Sequence, residues 1–337
     1  MLSDSLILPL RHGYSQRVFR LSTRVARYCR SVAYVVLLAL VSLLPLPLAY
    51  RAARWIGRMM CALDATRRNA STAAIGARLG IDCAQAERIT RRSFELRCCD
   101  DLESWLVPRL SKESLGWLIR FEGLDHLDAA MARGKGAVLY SGHMWGSRLG
   151  IIGLGLLGYR VVMVRRGRVA GKRVVAGRRW LFDRYRRTFE TKLSGRILGS
   201  ADGDSNTAMG PSAVSALRKN EIVSLKPDIL LPQIWRPGDL EVSFLNGEET
   251  FRAGGALLAR AADAPLLSYW VRRPASLLPS RCVIGPPVKV AGDVRVTVED
   301  QAARMEAELR QDPACWSAWL LRSGRDLPGT RFTPRTS

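Results

Sequence analysis

Three histidines occur in this 337-residue chain, His12, His126 and His143, and one sits where a reactive group belongs. His143 follows a short β-prone run, Ala137–Ser141, with Ser141 and Gly142 immediately before it. A polar side chain just past a buried strand is the place from which α/β folds present reactive groups. Histidine is the side chain whose ordinary pKa suits acid–base chemistry near neutral pH. A hydrogen-bonded structural histidine is the other reading of position alone. His12, in a basic N-terminal stretch, and His126, at the start of an amphipathic helix, have no such context. No Asp or Glu occurs between His143 and Asp183, so a carboxylate partner for the ring must come from elsewhere in the chain. The seven cysteines are odd in number and contain no C-x-x-C pair, which argues against a metal site or disulfide framework and suits a reducing cytoplasm.

The elements around His143 read as an α/β fold. Short β-prone runs, Ala137–Ser141, Arg160–Val164, Ile222–Leu225 and Leu266–Val271, alternate with helical stretches. The helices are expected at Asp125–Arg133, Arg178–Arg187, Ser212–Arg218 and Gly254–Ala262. Such alternation predicts a sheet covered by helices. Residues 51–120 read as helices without strands. The Gly254–Gly255 pair is expected to open a helix close to backbone or ligand, or simply to allow tight packing.

Charge narrows the partners. The chain holds 52 Lys and Arg against 30 Asp and Glu, a formal net charge of +22. Such a surplus points to nucleic acid, an anionic membrane or an acidic protein. Residues 1–60 carry nine Arg and the single acid Asp4, and residues 160–187 carry eleven Lys or Arg and the single acid Asp183. Nothing resembles a zinc finger, an aromatic RNA-binding strand or a basic zipper, so nucleic acid is not expected as a partner. The first basic block adjoins Val32–Tyr50, a charge-free run of 19 residues just long enough to span a bilayer. Arg51, Arg54 and Arg58 follow it, so positive charge on both flanks leaves orientation open. Pro45 and Pro47 would break its last turn, which leaves an interfacial helix or a buried core helix as alternatives to a span.

The stretch from Phe121 to His143 resembles the segment that leads into the catalytic histidine of the lauroyl and myristoyl acyltransferases of lipid A biosynthesis, within the lysophospholipid acyltransferase-like superfamily. Further matches follow in order. Arg165 lies where that family has the Arg of a Tyr-Arg-Pro turn, although the Tyr and Pro are absent. Lys226–Asp228 is similar to a Pro-Asp that follows a strand. Phe244–Pro265 is similar to a glycine-rich segment, Pro313–Trp319 to a terminal P-E-Q-W-L-W, and Arg67–Asn69 to a further short match. The resemblance covers roughly residues 32–322.

The resemblance implies a central mixed sheet flanked by helices, of the glycerol-3-phosphate acyltransferase type, with an N-terminal membrane-anchoring helix. The implied division is a basic tail at 1–31, a hydrophobic anchor at 32–50, a helical region at 51–120, the acyltransferase-like core at 121–325 and a flexible tail at 326–337. It implies a transferase of the inner membrane with its active domain in the cytoplasm. The donor would be an acyl thioester on acyl carrier protein or coenzyme A, and the acceptor a hydroxyl on a glycolipid or phospholipid. No metal or further cofactor is implied.

One position departs from the family. Its motif is H-x-x-x-x-D/E, and the acid's place is taken by Arg148. In the family's chemistry the acid holds the histidine tautomer and stabilises the imidazolium. An arginine cannot accept that hydrogen bond. Asp228 is the expected substitute, because the Pro-Asp segment lies near the family's active site; a turn or helix cap is its other reading. Arg148 would then clamp an anionic acceptor group or stabilise the thioester oxyanion, or be merely ion-paired. The basic run containing Arg165, Arg178 and Arg179 would receive a carrier protein or glycolipid phosphates. Trp316 and Trp319 read as core or interfacial belt. The alternative to an enzyme is a non-catalytic relative that binds acyl chains or acyl carrier protein within a biosynthetic complex.

Overall fold

A computed structural model describes residue 29 and residues 32–164, 191–198, 206–228, 238–276 and 278–322. The expected helix Arg178–Arg187, most of the basic tail and the tail at 326–337 lie outside the described residues.

The charge-free run does not form one helix. Residues 32–41 are helical, residues 42–45 turn, and helix α1, Leu46–Leu63, starts anew. Pro45 caps α1 and Pro47 sits in its first turn, where a missing N–H costs nothing. Among the described residues no helix is long and apolar enough to cross a membrane. Helices α2, Ala65–Leu79, and α3, Cys83–Leu106, follow, and α1 lies along α3. Asp64 and Asp82 cap them through their side chains. The buried face of α1 is Ala49, Tyr50, Ala53, Ile56, Gly57 and Cys61. Gly57 marks the closest approach: a Cβ there would stand 2.7 Å from the Glu95 Cα and the Phe94 carbonyl oxygen. Acids of α3 fasten the N-terminal segment. Tyr34 donates to Asp101 at 2.9 Å, Tyr50 to Glu103 at 2.8 Å, and Arg54 and Arg58 to Glu95 at 2.9 and 2.7 Å.

After α4, Lys112–Leu118, the chain enters the sheet with β1, Ile119–Glu122. Helix α5, Leu124–Ala132, leads to β2, Ala137–Tyr140, and α6, Ser147–Leu156, to β3, Val161–Val164. Then come β4, Arg196–Leu198, α7, Asn206–Arg218, and β5, Ile222–Leu225. A hairpin of β6, Asp239–Ser243, and β7, Glu248–Arg252, stands apart from the main sheet. Helix α8, Gly254–Ala262, precedes β8, Leu266–Arg272, and β9, Ser280–Ile284. Helices α9, Val294–Gln311, and α10, Ala318–Arg322, are the last described elements.

Among the described residues the sheet has seven strands in the order β1-β9-β8-β2-β5-β3-β4. All neighbours are parallel except β8 and β9, so the sheet is mixed. Strands β2, β5 and most of β8 are buried on both faces, as expected of parallel strands covered by helices. All four expected strands form. Those the sequence did not announce are β1, β4, β9 and the hairpin, each five residues or fewer. At α8 only the second glycine serves packing: a Cβ on Gly255 would press to 3.1 Å from the Leu225 side chain, whereas one on Gly254 would meet nothing within 4 Å.

Candidate active site

Strands β2 and β5 are parallel neighbours, with Tyr140 in register with Leu225. Three residues beyond each strand end stand His143 and Asp228, so the same register of 85 residues sets one opposite the other. Their place is the carboxyl edge of the central parallel strands, where α/β sheets open a crevice between loops that diverge. His143 Nδ1 lies 2.8 Å from Asp228 Oδ1. The backbone N–H of His143 also donates to Asp228, at 3.0 Å from each carboxylate oxygen. The Asp228 side chain is fully buried, whereas the His143 side chain keeps 30% of its surface exposed. With Nδ1 committed to the carboxylate, Nε2 is the nitrogen left for a substrate.

A third group completes the arrangement. Trp316 Nε1 donates to Asp228 Oδ2 at 2.9 Å. Trp316 is wholly buried, stacked edge-on against Phe244 and Trp319. The C-terminal segment also grips the histidine loop through its backbone: Ser317 donates twice to the His143 carbonyl, at 2.8 and 2.6 Å, and Trp145 N–H to the Cys315 carbonyl at 2.8 Å. From the other side, the hairpin reaches the Asp228 segment, with Arg252 N–H donating to the Pro227 carbonyl at 2.8 Å. Asp228 is therefore a fixed acceptor rather than a turn cap.

Electrostatics follow from this burial. Burial alone would raise the Asp228 pKa, but the charge of His143 and the hydrogen bonds from His143 and Trp316 hold it well below the usual carboxylate range. Burial draws the His143 pKa below the ordinary histidine value, although the Asp228 charge and hydrogen bond oppose that pull. The imidazole is thus neutral at pH 7, with its Nδ1 proton directed to a carboxylate and Nε2 a free base.

Lys226, two residues before Asp228, donates to the Gly142 carbonyl at 3.0 Å and to Ser147 Oγ at 2.6 Å. Burial brings its ammonium down to about 8. Lys226 thus ties the loop that precedes His143 to the first turn of α6. Arg148 forms an ion pair with Asp100 of α3, and Asp100 also accepts the Gly146 N–H at 2.8 Å. The Asp100 side chain is 6% exposed and that of Arg148 37%. Burial would raise the Asp100 pKa, but Arg148 and the Gly146 N–H leave it lowered.

The chain matches the family model of bacterial lipid A biosynthesis acyltransferases over residues 17–324. It belongs to that family. The family is one of transferases that act in lipid A biosynthesis, with an acyl donor and a lipid acceptor. Among curated proteins none matches the chain.

Within this acyltransferase fold, two of the expected site residues come together, His143 and Asp228. Arg148 lies in the first turn of α6, after the histidine loop, and points its guanidinium at Asp100. Arg165, Arg178 and Arg179 lie outside the described residues. The parts that Trp316, Lys226 and Asp100 play around the histidine loop emerge only from the structure. Trp316 and Lys226 already stood in the quoted matches, so the same pattern that singled out Asp228 held their signal. No group of three or more His, Cys, Asp or Glu poised to hold a metal occurs among the described residues.

Proposed function

We propose that this lipid A-type acyltransferase is membrane-bound and moves a fatty acyl chain from a thioester, on acyl carrier protein or coenzyme A, to a hydroxyl of a glycolipid, phospholipid or polysaccharide acceptor. The observation that carries this reading is the 2.8 Å contact between Nδ1 of His143 and the buried Asp228, with the His143 side chain 30% exposed. In this reaction Nε2 of His143 takes the proton of the acceptor hydroxyl as its oxygen attacks the thioester carbonyl. The new C–O bond forms, the C–S bond breaks, and the proton passes from the imidazolium to the departing thiolate. Asp228 holds the reactive tautomer and stabilises the imidazolium formed in the transition state. This is the task that the acid of H-x-x-x-x-D/E performs elsewhere in the family, delivered here from the neighbouring strand.

Arg148, anchored on Asp100 and part exposed, is assigned to shape the acceptor side of the site through the loop that carries His143. Arg165, Arg178 and Arg179 are assigned to the anionic partner, whether carrier protein or glycolipid phosphate. No metal or further cofactor takes part in this scheme.

Support for membrane binding comes from the N-terminal helices. Of the thirteen exposed large apolar side chains among the described residues, ten fall between Val32 and Leu63. Trp55, Met59 and Leu63 repeat at helical spacing along one face of α1, beside Arg51 and Arg58. An apolar face bordered by arginines suits an anionic bilayer, entered from its surface without a full span. The inner membrane, with the active domain on the cytoplasmic side, is the assigned location. The test is a mass-spectrometric comparison of total lipids from cells making the wild-type chain or His143→Ala. The account expects a lipid heavier by one fatty acyl group with the wild type alone. Identical lipid profiles would overturn it.

A further inference from the structure

The peptide that joins Gly142 to His143 is held at both ends by one short segment of chain. Its N–H, that of His143, donates to both carboxylate oxygens of Asp228 at 3.0 Å. Its carbonyl, that of Gly142, accepts from the Lys226 ammonium at 3.0 Å. The two gripping residues flank Pro227, and a proline favours extended backbone at the residue before it. In an extended chain the side chains of residues i and i+2 share a face. The order Lys-Pro-Asp therefore brings a cation to the carbonyl and an anion to the N–H of a single peptide. The segment itself is fixed by the hairpin: Arg252 N–H donates to the Pro227 carbonyl at 2.8 Å, and Asp228 pairs with Phe251 in an isolated bridge.

Lys226 also reaches the far end of the histidine loop. A second N–H goes to Ser147 Oγ at 2.6 Å, and that hydroxyl donates to the Met144 carbonyl at 2.8 Å. One ammonium thus spans the loop from Gly142 to the first residue of α6. Gly142 sits in a tight turn, its carbonyl accepting the Met144 N–H at 2.7 Å as well. A Cβ on Gly142 would stand 2.5 Å from the end of the Met305 side chain of α9. The peptide beside the imidazole therefore has little room to shift while Lys226 and Asp228 both hold it.

Both acceptors of Lys226 are neutral, and among the described residues no acid lies within 4 Å of its ammonium. Burial brings that ammonium down to about 8, so it is mainly charged at pH 7. The charges that act on it are Asp228, Asp100 of α3 and Arg148 of α6. Those that act on His143 are Asp228, Lys226 and Arg252 of β7. Arg273, just after β8, faces the same loop at Gly146 and is paired with Glu103. Asp228 is engaged by His143 and Trp316, and Asp100 by Arg148 and the Gly146 N–H. A cation near an imidazole disfavours the imidazolium, so the Lys226 charge opposes the pull of Asp228. We propose that Lys226 is a positioning residue for the His143 base: it fixes the Gly142–His143 peptide opposite Asp228 and, through its charge, keeps the imidazole a free base at neutral pH. The role deepens the acyl-transfer reading, but its first readout needs no turnover.

The experiment uses the full chain in detergent micelles, its histidine rings labelled with carbon-13 and followed by NMR across pH. The His143 signal is the one lost in His143→Ala, and His12 and His126 serve as internal controls. In Lys226→Met the His143 midpoint should move up by about half a pH unit or more while the controls stay in place. Lys226→Arg keeps the charge, and Ser147→Ala keeps the ammonium but removes one acceptor, so both should leave the midpoint where the wild type has it. Acyl transfer gives the second readout. Lys226→Met should lower kcat about tenfold at neutral pH with KM unchanged, its acid limb displaced in step with the NMR midpoint, and Lys226→Arg should recover most of the loss. Thermal melting is the control for folding, and Lys226→Gln takes the place of Lys226→Met if the latter unfolds. A displaced midpoint with no acyl transfer by the wild type would remove the enzymatic reading and leave the clamp. An unmoved His143 midpoint in a folded neutral variant, an unchanged kcat there, or the same displacement in Lys226→Arg as in Lys226→Met would overturn the proposal.

Discussion

Replacing Arg148 by Gln tests whether this residue acts through the scaffold or through the acceptor. In the structure its guanidinium neutralises Asp100, a carboxylate 6% exposed that also holds the Gly146 N–H. Removing one partner of a buried pair leaves an uncompensated charge, which costs about 3–5 kcal/mol when both partners are buried. Arg148 is 37% exposed, so solvent screens part of the interaction, and about 2–3 kcal/mol is the discounted expectation. Asp100→Asn should cost a comparable amount, because Gly146 and Arg148 both lose a charged acceptor. The double variant, Asp100→Asn with Arg148→Gln, should then recover at least about 1 kcal/mol relative to additivity. Urea unfolding in detergent micelles, followed by circular dichroism, reads all three. Activity should fall through kcat as the histidine loop loosens. If Arg148→Gln were as stable as the wild type while only the acceptor KM rose, the scaffold argument would be refuted and a direct clamp on the acceptor established.

Trp316→Phe keeps an aromatic ring in the Phe244–Trp319 cluster but deletes the donor to Asp228; it should cost about 1–3 kcal/mol in urea unfolding and lower kcat without changing KM. Gly57→Leu should separate α1 from α3, lower Tm and weaken vesicle binding, since even a Cβ at that site meets backbone at 2.7 Å. The pH dependence follows from the lowered His143 pKa: the unfolded chain takes up the histidine proton first, so stability is complete above the ordinary histidine value and declines as pH falls below about 6.5. Activity should fall on the same acid side, and His143→Gln should remove that part of the stability slope.

Much of the fold was legible because period and position carry it. Four strands and the helices at Asp125, Ser212 and Gly254 stand close to where apolar runs and spacing put them. The site was legible in part because α/β sheets place reactive groups past strand ends, and His143 and Asp228 each follow one by three residues. What the sequence did not reveal depends on contacts far apart in the chain. Trp316 reaches Asp228 across 88 residues and Arg148 reaches Asp100 across 48, and no local pattern reports such pairs. The hairpin and β9 are too short for alternation to stand out. The break in the charge-free run was legible from its prolines, although it falls at 42–45, ahead of Pro45, and Pro47 sits inside the new helix rather than ending the old one.

The central claim is that His143 and Asp228 act as one unit in acyl transfer. Its most direct test is the single-turnover rate of acyl transfer from a thioester donor to a lipid acceptor by the wild type, His143→Ala, Asp228→Asn and the double variant. The account predicts a loss of roughly 10²–10⁴ for His143→Ala, a comparable part of that for Asp228→Asn, and a double variant little slower than the worse single one. Equal rates for wild type and His143→Ala, or losses that multiply in the double variant, would contradict it.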